Sequence, residues 1–420
     1  MLSLMNKKTN IVIPDAGYVD GVAQEQRIQE LSEDQEKALD FVDNFMKSSS
    51  KYTVIGGCAG SGKSSIIPYI VNKYEGCCVC AYTGKAVMVL KRKGIVDVCT
   101  LHSFLYEVKT VTNEETLEKT IVYEPKKDHF FYGVELLIVD EASMVDKEMF
   151  DLIKSKKFKT LYIGDHFQLP PVGDSFNIML KPNFKMEKIL RQNEDNHIIR
   201  LAEMARNGQK IPLGIYGNSK HTLKFDKEEL LNYDEIITWT NKTKDMINEK
   251  VREQLGYPKD IPQIDDKMIV RVNCRAKNVF NGQIVYIMNN PKLSKNGAWK
   301  IEFVDELTYN DPFIMAQTDE YTKAYASVHL SKEELDRLRT SVYYNQSYNN
   351  KFKMPTLRSP YQVHLDWGYA ITAHAAQGSS WKNVAVMLDK RIYRLKDCYR
   401  WIYTAITRAE ESVVIYSGDF

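Results

Sequence analysis

Gly57-Cys58-Ala59-Gly60-Ser61-Gly62-Lys63-Ser64 fits the pattern G-x-x-x-x-G-K-[ST] without a mismatch and follows the apolar run Tyr52 to Ile55. That spacing suits polyphosphate binding. Glycines let the backbone curl round phosphate oxygens, while the loop amides and the following helix start supply positive dipole. Lys63 is expected to reach the terminal phosphates, and the Ser64 hydroxyl to ligate Mg2+. The implied ligand is a nucleoside triphosphate. Leu136-Leu137-Ile138-Val139 ends in Asp140-Glu141, two acids at the carboxyl end of an apolar strand. By itself such a pair also describes a helix start; joined to the loop, Asp140 is expected to hold the magnesium and Glu141 to orient and deprotonate the attacking water. Gly164-Asp165-His166-Phe167-Gln168-Leu169-Pro170-Pro171-Val172 follows a further apolar run. Gln168 could hydrogen-bond that water or the terminal phosphate, the alternative being a plain Pro-terminated turn. Arg191 and Arg408 are candidates for stabilising transition-state charge, although each taken singly also reads as a surface residue.

Elements of ordinary globular type must carry these groups. The chain has 420 residues, 44% of them hydrophobic, enough for two to four domains. With 57 basic and 55 acidic side chains the formal charge is only +2, so any nucleic-acid contact must come from local basic patches. There is no apolar run near 18 residues and no apolar block after the charges of Met1 to Asn10. A soluble intracellular protein without membrane attachment is expected. The seven cysteines, odd in number and irregularly spaced, read as reduced thiols. Cys77-Cys78-Val79-Cys80 reads as a buried strand rather than a metal site, because neighbours in a strand point to opposite faces.

Ser32 reads as the cap of an amphipathic helix carrying Ala38, Leu39, Phe41, Val42 and Phe45. Apolar strands then recur between helical stretches: Tyr52–Ile55, Cys77–Ala81, Leu136–Val139, Thr160–Ile163, Ile236–Trp239, Val384–Leu388 and Val413–Tyr416. This is an α/β pattern of parallel sheets covered on both faces, with ligands at the carboxyl ends of the strands. Two stretches break it. Tyr106–Val111 and Lys119–Tyr123, joined by Thr112-Asn113-Glu114-Glu115-Thr116, read as a protruding hairpin. From about Lys267 to Pro360, Met268–Val272 and Gln283–Met288 flank the turn Asn281-Gly282, and Trp299–Val304 adds a strand, which fits a small β-barrel. Its later half, with Tyr343, Tyr344, Tyr348, Lys351, Lys353 and Arg358, reads either as a solvated surface or as a stacking platform for bases.

The motif order resembles the superfamily 1 helicases from about Leu31 to Ala409. Leu31 to Ala38, with Gln35, resembles the adenine-recognising segment, and Ala81-Tyr82-Thr83-Gly84-Lys85-Ala86 and Thr100-Leu101-His102-Ser103 resemble two strand-contacting motifs. Thr238 to Thr243, Thr372-Ala373-His374-Ala375-Ala376-Gln377-Gly378-Ser379 and Tyr403-Thr404-Ala405-Ile406-Thr407-Arg408-Ala409 resemble the later motifs. The wording of Gly84-Lys85-Ala86, Gln168-Leu169-Pro170-Pro171-Val172 and Gln377-Gly378-Ser379 is similar to the RecD-like, 5′-to-3′ branch, as is a length close to its compact phage enzyme. Two departures stand out: His374-Ala375-Ala376 where the family commonly has a lysine, and Pro68 inside the helix after the loop, where a kink is expected.

The resemblance implies two RecA-like P-loop lobes, 31–105 with 125–188 and 189–266 with 361–420, after an N-terminal extension at 1–30. It further implies a hairpin wedge at 106–124 and an SH3-like barrel with a polar extension at 267–360. It implies that Gln35, Gly57, Ala59, Gly60, Ser61, Gly62, Lys63, Ser64, Gln377 and Gly378 hold ATP, and that Thr83, Lys85, His102, Ser103, Asn241, Thr372 and His374 grip a strand. The expected activity is ATP-dependent 5′-to-3′ DNA unwinding by a monomer, with single-stranded DNA and its duplex junctions as partners alongside replication or recombination proteins. A translocase that strips proteins from single strands, an RNA helicase and a module with a dead ATPase remain alternatives.

Overall fold

The computed structural model describes residues 31–112, 119–171, 176–188, 197–274, 277, 279–294, 298–310, 315, 321–328, 362–395 and 397–418. The 1–30 extension, the hairpin tip, Val172, Arg191 and the Tyr343 to Arg358 stretch lie outside these residues. The described residues form two compact units, one drawn from 31–82, 86–105 and 127–188, the other from 83–85, 106–126 and 197–418.

In the first unit a capping box starts the helix Glu33–Lys47: Ser32 Oγ accepts from Gln35 N–H, and Gln35 Oε1 accepts from Ser32 N–H. The strands are β1 (Tyr52–Gly57), β2 (Cys77–Ala81) and β3 (Val98–Thr100), then, after the hairpin β4 (Tyr106–Thr112) and β5 (Lys119–Pro125), β6 (Leu136–Asp140), β7 (Lys159–Gly164) and β8 (Phe184–Met186). Their order in the sheet is β3-β2-β6-β7-β1-β8, and every pairing is parallel. β6 is buried throughout and β1 beyond Tyr52, as near-continuous apolar runs covered on both faces should be. Ile55, Ile138, Leu161 and Ile163 pack with Ala38 and Val42 of the capped helix and with Ile66, Ile67 and Ile70. Each such side chain contributes about 1.5–3 kcal/mol on burial.

Pro68 does not kink a helix. The loop leads into a 3₁₀ turn, Lys63–Ser65, and the α-helix begins only at Ile67, so Pro68 lies in its first turn, where a backbone N–H would have no helical acceptor.

The second unit holds β9 (Gly214–Tyr216), β10 (Ser219–Thr222), β11 (Glu235–Thr238), β12 (Lys267–Val270), β13 (Ile284–Ile287), β14 (Lys292–Leu293), β15 (Trp299–Asp305), β16 (Thr322–Val328), β17 (Gln362–Trp367), β18 (Ala370–Thr372), β19 (Trp381–Met387) and β20 (Ala409–Tyr416). Its main sheet runs β18-β11-β19-β20-β10-β9, parallel except for β9. In the remaining strands the pairings β13-β12-β17-β16-β15 close back onto β13. This ring takes its β17 strand from beyond 360, where the sequence suggested that the barrel ends. The hairpin pairs in unbroken register from Tyr106↔Pro125 to Thr112↔Lys119.

Buried ion pairs tie the helix Asn241–Gln254 to the ring. Lys244 Nζ meets Asp366 Oδ2 at 2.6 Å, and Arg252 pairs with Asp266 while its guanidinium lies 3.5 Å over the Trp367 ring. Arg252 also donates to Pro258 O and Ile261 O. Removing one partner of a buried pair strands the other charge, at about 3–5 kcal/mol. Asp266→Ala is accordingly expected to destabilise the second unit by that amount in denaturant unfolding; an unchanged unfolding curve would show that the pair carries no net stability.

Candidate nucleotide site and strand-contacting residues

Parallel register brings the chemistry to one edge of the first unit's sheet. Gly56 pairs with Gly164 and Ala81 with both Asp140 and Thr100, so the loops after β1, β2, β3, β6 and β7 leave from the same carboxyl edge. Gly60 and Gly62 take φ of +81° and +76°, which L side chains rarely adopt, and a Cβ on Gly57 would sit 2.5 Å from Ser61 Oγ. Lys63 Nζ donates to Cys58 O at 2.7 Å, and Gln35 Nε2 donates to Gly62 O at 3.3 Å. The capping glutamine thus touches the loop. Ser61 Oγ is buried and makes no hydrogen bond among the described residues, which suits a loop shaped around a ligand.

Asp140 is buried at the end of β6, and its Oδ1 accepts from Glu141 N–H at 3.0 Å. Glu141 has φ 54° and ψ 42°, left-handed and without glycine's freedom. Holding such a residue there costs about 1–3 kcal/mol, and the surrounding fold over-determines it. Beyond β7, Asp165 Oδ1 accepts from Phe167 N–H at 2.9 Å, and Gln168, buried, donates its N–H to Asp165 O. An Asx turn, not the prolines alone, therefore sets Gln168.

His102, in the helix Leu101–Leu105, is half-buried; desolvation holds its imidazole below the ordinary histidine range against the opposing pull of Asp146. Ser103 Oγ donates to Thr100 O at 2.8 Å. In the second unit Thr240 caps the helix that starts at Asn241, which is exposed, and Thr238 pairs in register with Thr372. His374 is likewise held low by burial. Gln377 is buried, and Gly378 takes φ +74°. Arg408 is buried too, donating from Nη1 to Ser379 O at 2.9 Å, from Nε to Thr404 O and from Nη2 to Thr407 Oγ1. Lys85 has protein partners: Nζ lies 2.7 Å from Glu306 Oε2 and 4.1 Å from the centre of the Trp381 ring, whose Nε1 donates to Glu306 Oε1.

Residues 30–224 match the family described as an AAA domain, and residues 368–416 match the UvrD-like helicase C-terminal domain. The ATP-dependent DNA helicase dda of Enterobacteria phage T4 is 25% identical over 54% of this chain and 57% of its own. The ATP-dependent DNA helicase Pif1 of Campylobacter jejuni is 24% identical over 86% of this chain and 88% of its own. Bacteroides Pif1, solved bound to single-stranded DNA, has the same fold, with a TM-score of 0.57, 18% identity and 93% of both chains covered. Through these matches the chain is similar to superfamily 1 helicases of the RecD- and Pif1-like kind. It spans only 38% of an uncharacterized Methanocaldococcus jannaschii relative that is 24% identical.

Two groups near this site have no role that the sequence announces, Asp34 although it lies within the Leu31 to Ala38 segment and Lys93 outside every motif. Asp34 Oδ2 accepts the N–H groups of Glu187 and Lys188 at 2.9 and 2.8 Å, fixing the chain three residues ahead of Arg191. Lys93 has its ammonium pushed down in pKa by burial and by Lys63 and pulled up by Asp140, so it shares the electrostatic field of the loop. Neither carries a spacing signal, since each acts on residues distant in sequence. The Gly62→Ala chain is expected to lose about 1–2 kcal/mol from a left-handed alanine and to lose the thermal shift given by a non-hydrolysable ATP analogue. Wild-type stability and an unchanged shift would contradict the loop geometry.

Proposed function

We propose that this chain is an ATP-driven DNA helicase that moves 5′ to 3′ along one strand and separates the duplex ahead of it. The observation that carries this reading is the single sheet edge where two left-handed glycines, Lys63, buried Asp140 and strained Glu141 converge. Support comes from relatives that are named ATP-dependent DNA helicases and from Bacteroides Pif1, solved in complex with ADP-AlF3 and single-stranded DNA.

The residues suit magnesium as well as nucleotide. Ser64 and Asp140 offer the hard oxygen ligands that Mg2+ takes alongside phosphates, and bound there it would neutralise charge on the phosphate oxygens. Lys63 would leave Cys58 O for the terminal phosphate. Glu141 would accept the proton of the attacking water, with Gln168 orienting it, while Gln35 would meet the base and Arg191 and Arg408 would stabilise the charge that develops. Arg408 begins with its guanidinium already oriented by three bonds, which reduces the entropy lost on engaging a phosphate.

Thr83, Lys85, His102, Ser103, Asn241, Thr372 and His374 would grip phosphates, giving a hold that ignores sequence and weakens with salt. Because burial keeps His102 and His374 low in pKa, they would donate as neutral imidazoles near pH 7. Gln377 and Gly378 would border the nucleotide, and the β4–β5 hairpin would act as the wedge.

Matched partial duplexes with only a 5′ or only a 3′ single-stranded tail, in DNA and RNA versions, test this reading. With ATP, the wild type is expected to unwind the 5′-tailed DNA, while Lys63→Ala and Glu141→Gln fall at least about a hundredfold in hydrolysis and Glu141→Gln still binds ATP. Unwinding confined to the 3′ tail, or wild-type turnover by Glu141→Gln, would refute it.

A further inference from the structure

Strands β6 and β7 begin at Leu136 and Lys159, at the end of the sheet opposite the phosphate loop, and the segments that enter them pack on one another. Phe131 and Phe158 have ring centres 5.7 Å apart, and Phe104 meets both, at 5.2 and 6.0 Å. Lys156 Nζ lies 5.0 Å from the centre of the Phe131 ring and pairs with Asp128 at 3.0 Å. Along the chain this aromatic knot flanks the hairpin, which leaves after Leu105 and returns before Lys127.

Outside the knot the surface changes character. Phe130 is 51% exposed and Tyr132 86%; Lys127 close by in the chain, and Lys154 and Lys157 in the segment that leads into β7, are also exposed. None of these three lysines forms an ion pair among the described residues, and Asp128, whose carboxyl Lys156 and Lys157 hold below the usual range, is already engaged. Within 127–135 and 154–158 the acids are Asp128 and Glu135, against four lysines. The chain carries a net charge of only +2, so this is a local excess of the kind that recognises a polyanion. Exposed aromatic side chains beside it supply flat apolar contact, and the Tyr132 hydroxyl is a donor of the type that meets phosphate oxygens.

We propose that this surface holds the phosphate backbone of the unopened duplex, with Lys127, Lys154 and Lys157 as phosphate contacts and Tyr132 as a hydroxyl donor. The inference rests on the strand-separating reading above, because a hairpin that parts two strands has paired DNA beside its base. The contacts are sequence-independent, so they raise the chain's hold on duplex without altering its response to single strands.

The triple variant K127Q/K154Q/K157Q tests it with a blunt DNA duplex, an unmodified single strand and a forked substrate. Duplex affinity should fall, and the slope of log affinity against log salt should flatten by about 2.7, at about 0.9 for each phosphate that no longer meets a lysine. Hydrolysis stimulated by the single strand should stay at the wild-type level, which also reports an intact fold, while unwinding of the fork slows. Duplex affinity and slope that match the wild type overturn the proposal, as does a wild type that binds polyglutamate through these lysines in place of duplex. A wild type whose hydrolysis ignores single strands would instead sink the helicase reading, and the two failures are thereby distinct.

Discussion

Parallel hydrogen-bonded register is the constraint on which the rest depends. Because β1 pairs with β7 at Gly56↔Gly164 and β2 with β6 at Ala81↔Asp140, loops separated by up to about a hundred residues leave one sheet edge together. A slip of one residue in β6 would turn Asp140 to the other face and take it from the loop. The buried apolar runs of β1 and β6 make that slip expensive, since it would reposition every side chain against the helices on both faces. Packing therefore fixes the geometry proposed for catalysis, so stability and the proposed chemistry depend on the same strands.

Strain and charge are concentrated where the chemistry is expected. Glu141 sits in a left-handed conformation directly after a buried carboxylate, and Ser61 keeps a buried hydroxyl without a partner among the described residues. A fold optimised only for stability would place glycine at the first and satisfy the second. In the second unit the polar machinery is instead satisfied internally: Arg408 is held by Ser379, Thr404 and Thr407, and Lys85 by Glu306 and Trp381. Any role of these cations at a phosphate would exchange protein partners for ligand ones, so their contribution is a difference between two well-bonded states.

Much of this was legible in the sequence where the signal is local. The glycine loop, the acids ending an apolar strand, the capped first helix and the hairpin are each written in contiguous residues, and the structure forms them at those positions. The misread features depend on partners far along the chain or on an exact helix start. Pro68 looked like a kink because its position relative to the helix start at Ile67 is set by the loop's 3₁₀ turn. The ring's β17 strand, Gln362–Trp367, follows a stretch with no periodic signal, so nothing nearby assigned it to the barrel. Asp34, Lys93 and Glu306 matter through contacts with residues up to a couple of hundred positions away, and no spacing rule announces them.

The central claim is that the first unit's sheet edge binds a magnesium nucleoside triphosphate. Calorimetric titration of the intact chain with a non-hydrolysable ATP analogue, with and without Mg2+, tests it most directly. Saturable binding at one site per chain, weakened at least about tenfold when Mg2+ is removed, is the result predicted. No heat of binding in either condition, or binding indifferent to Mg2+ and undiminished by Lys63→Ala, would contradict it.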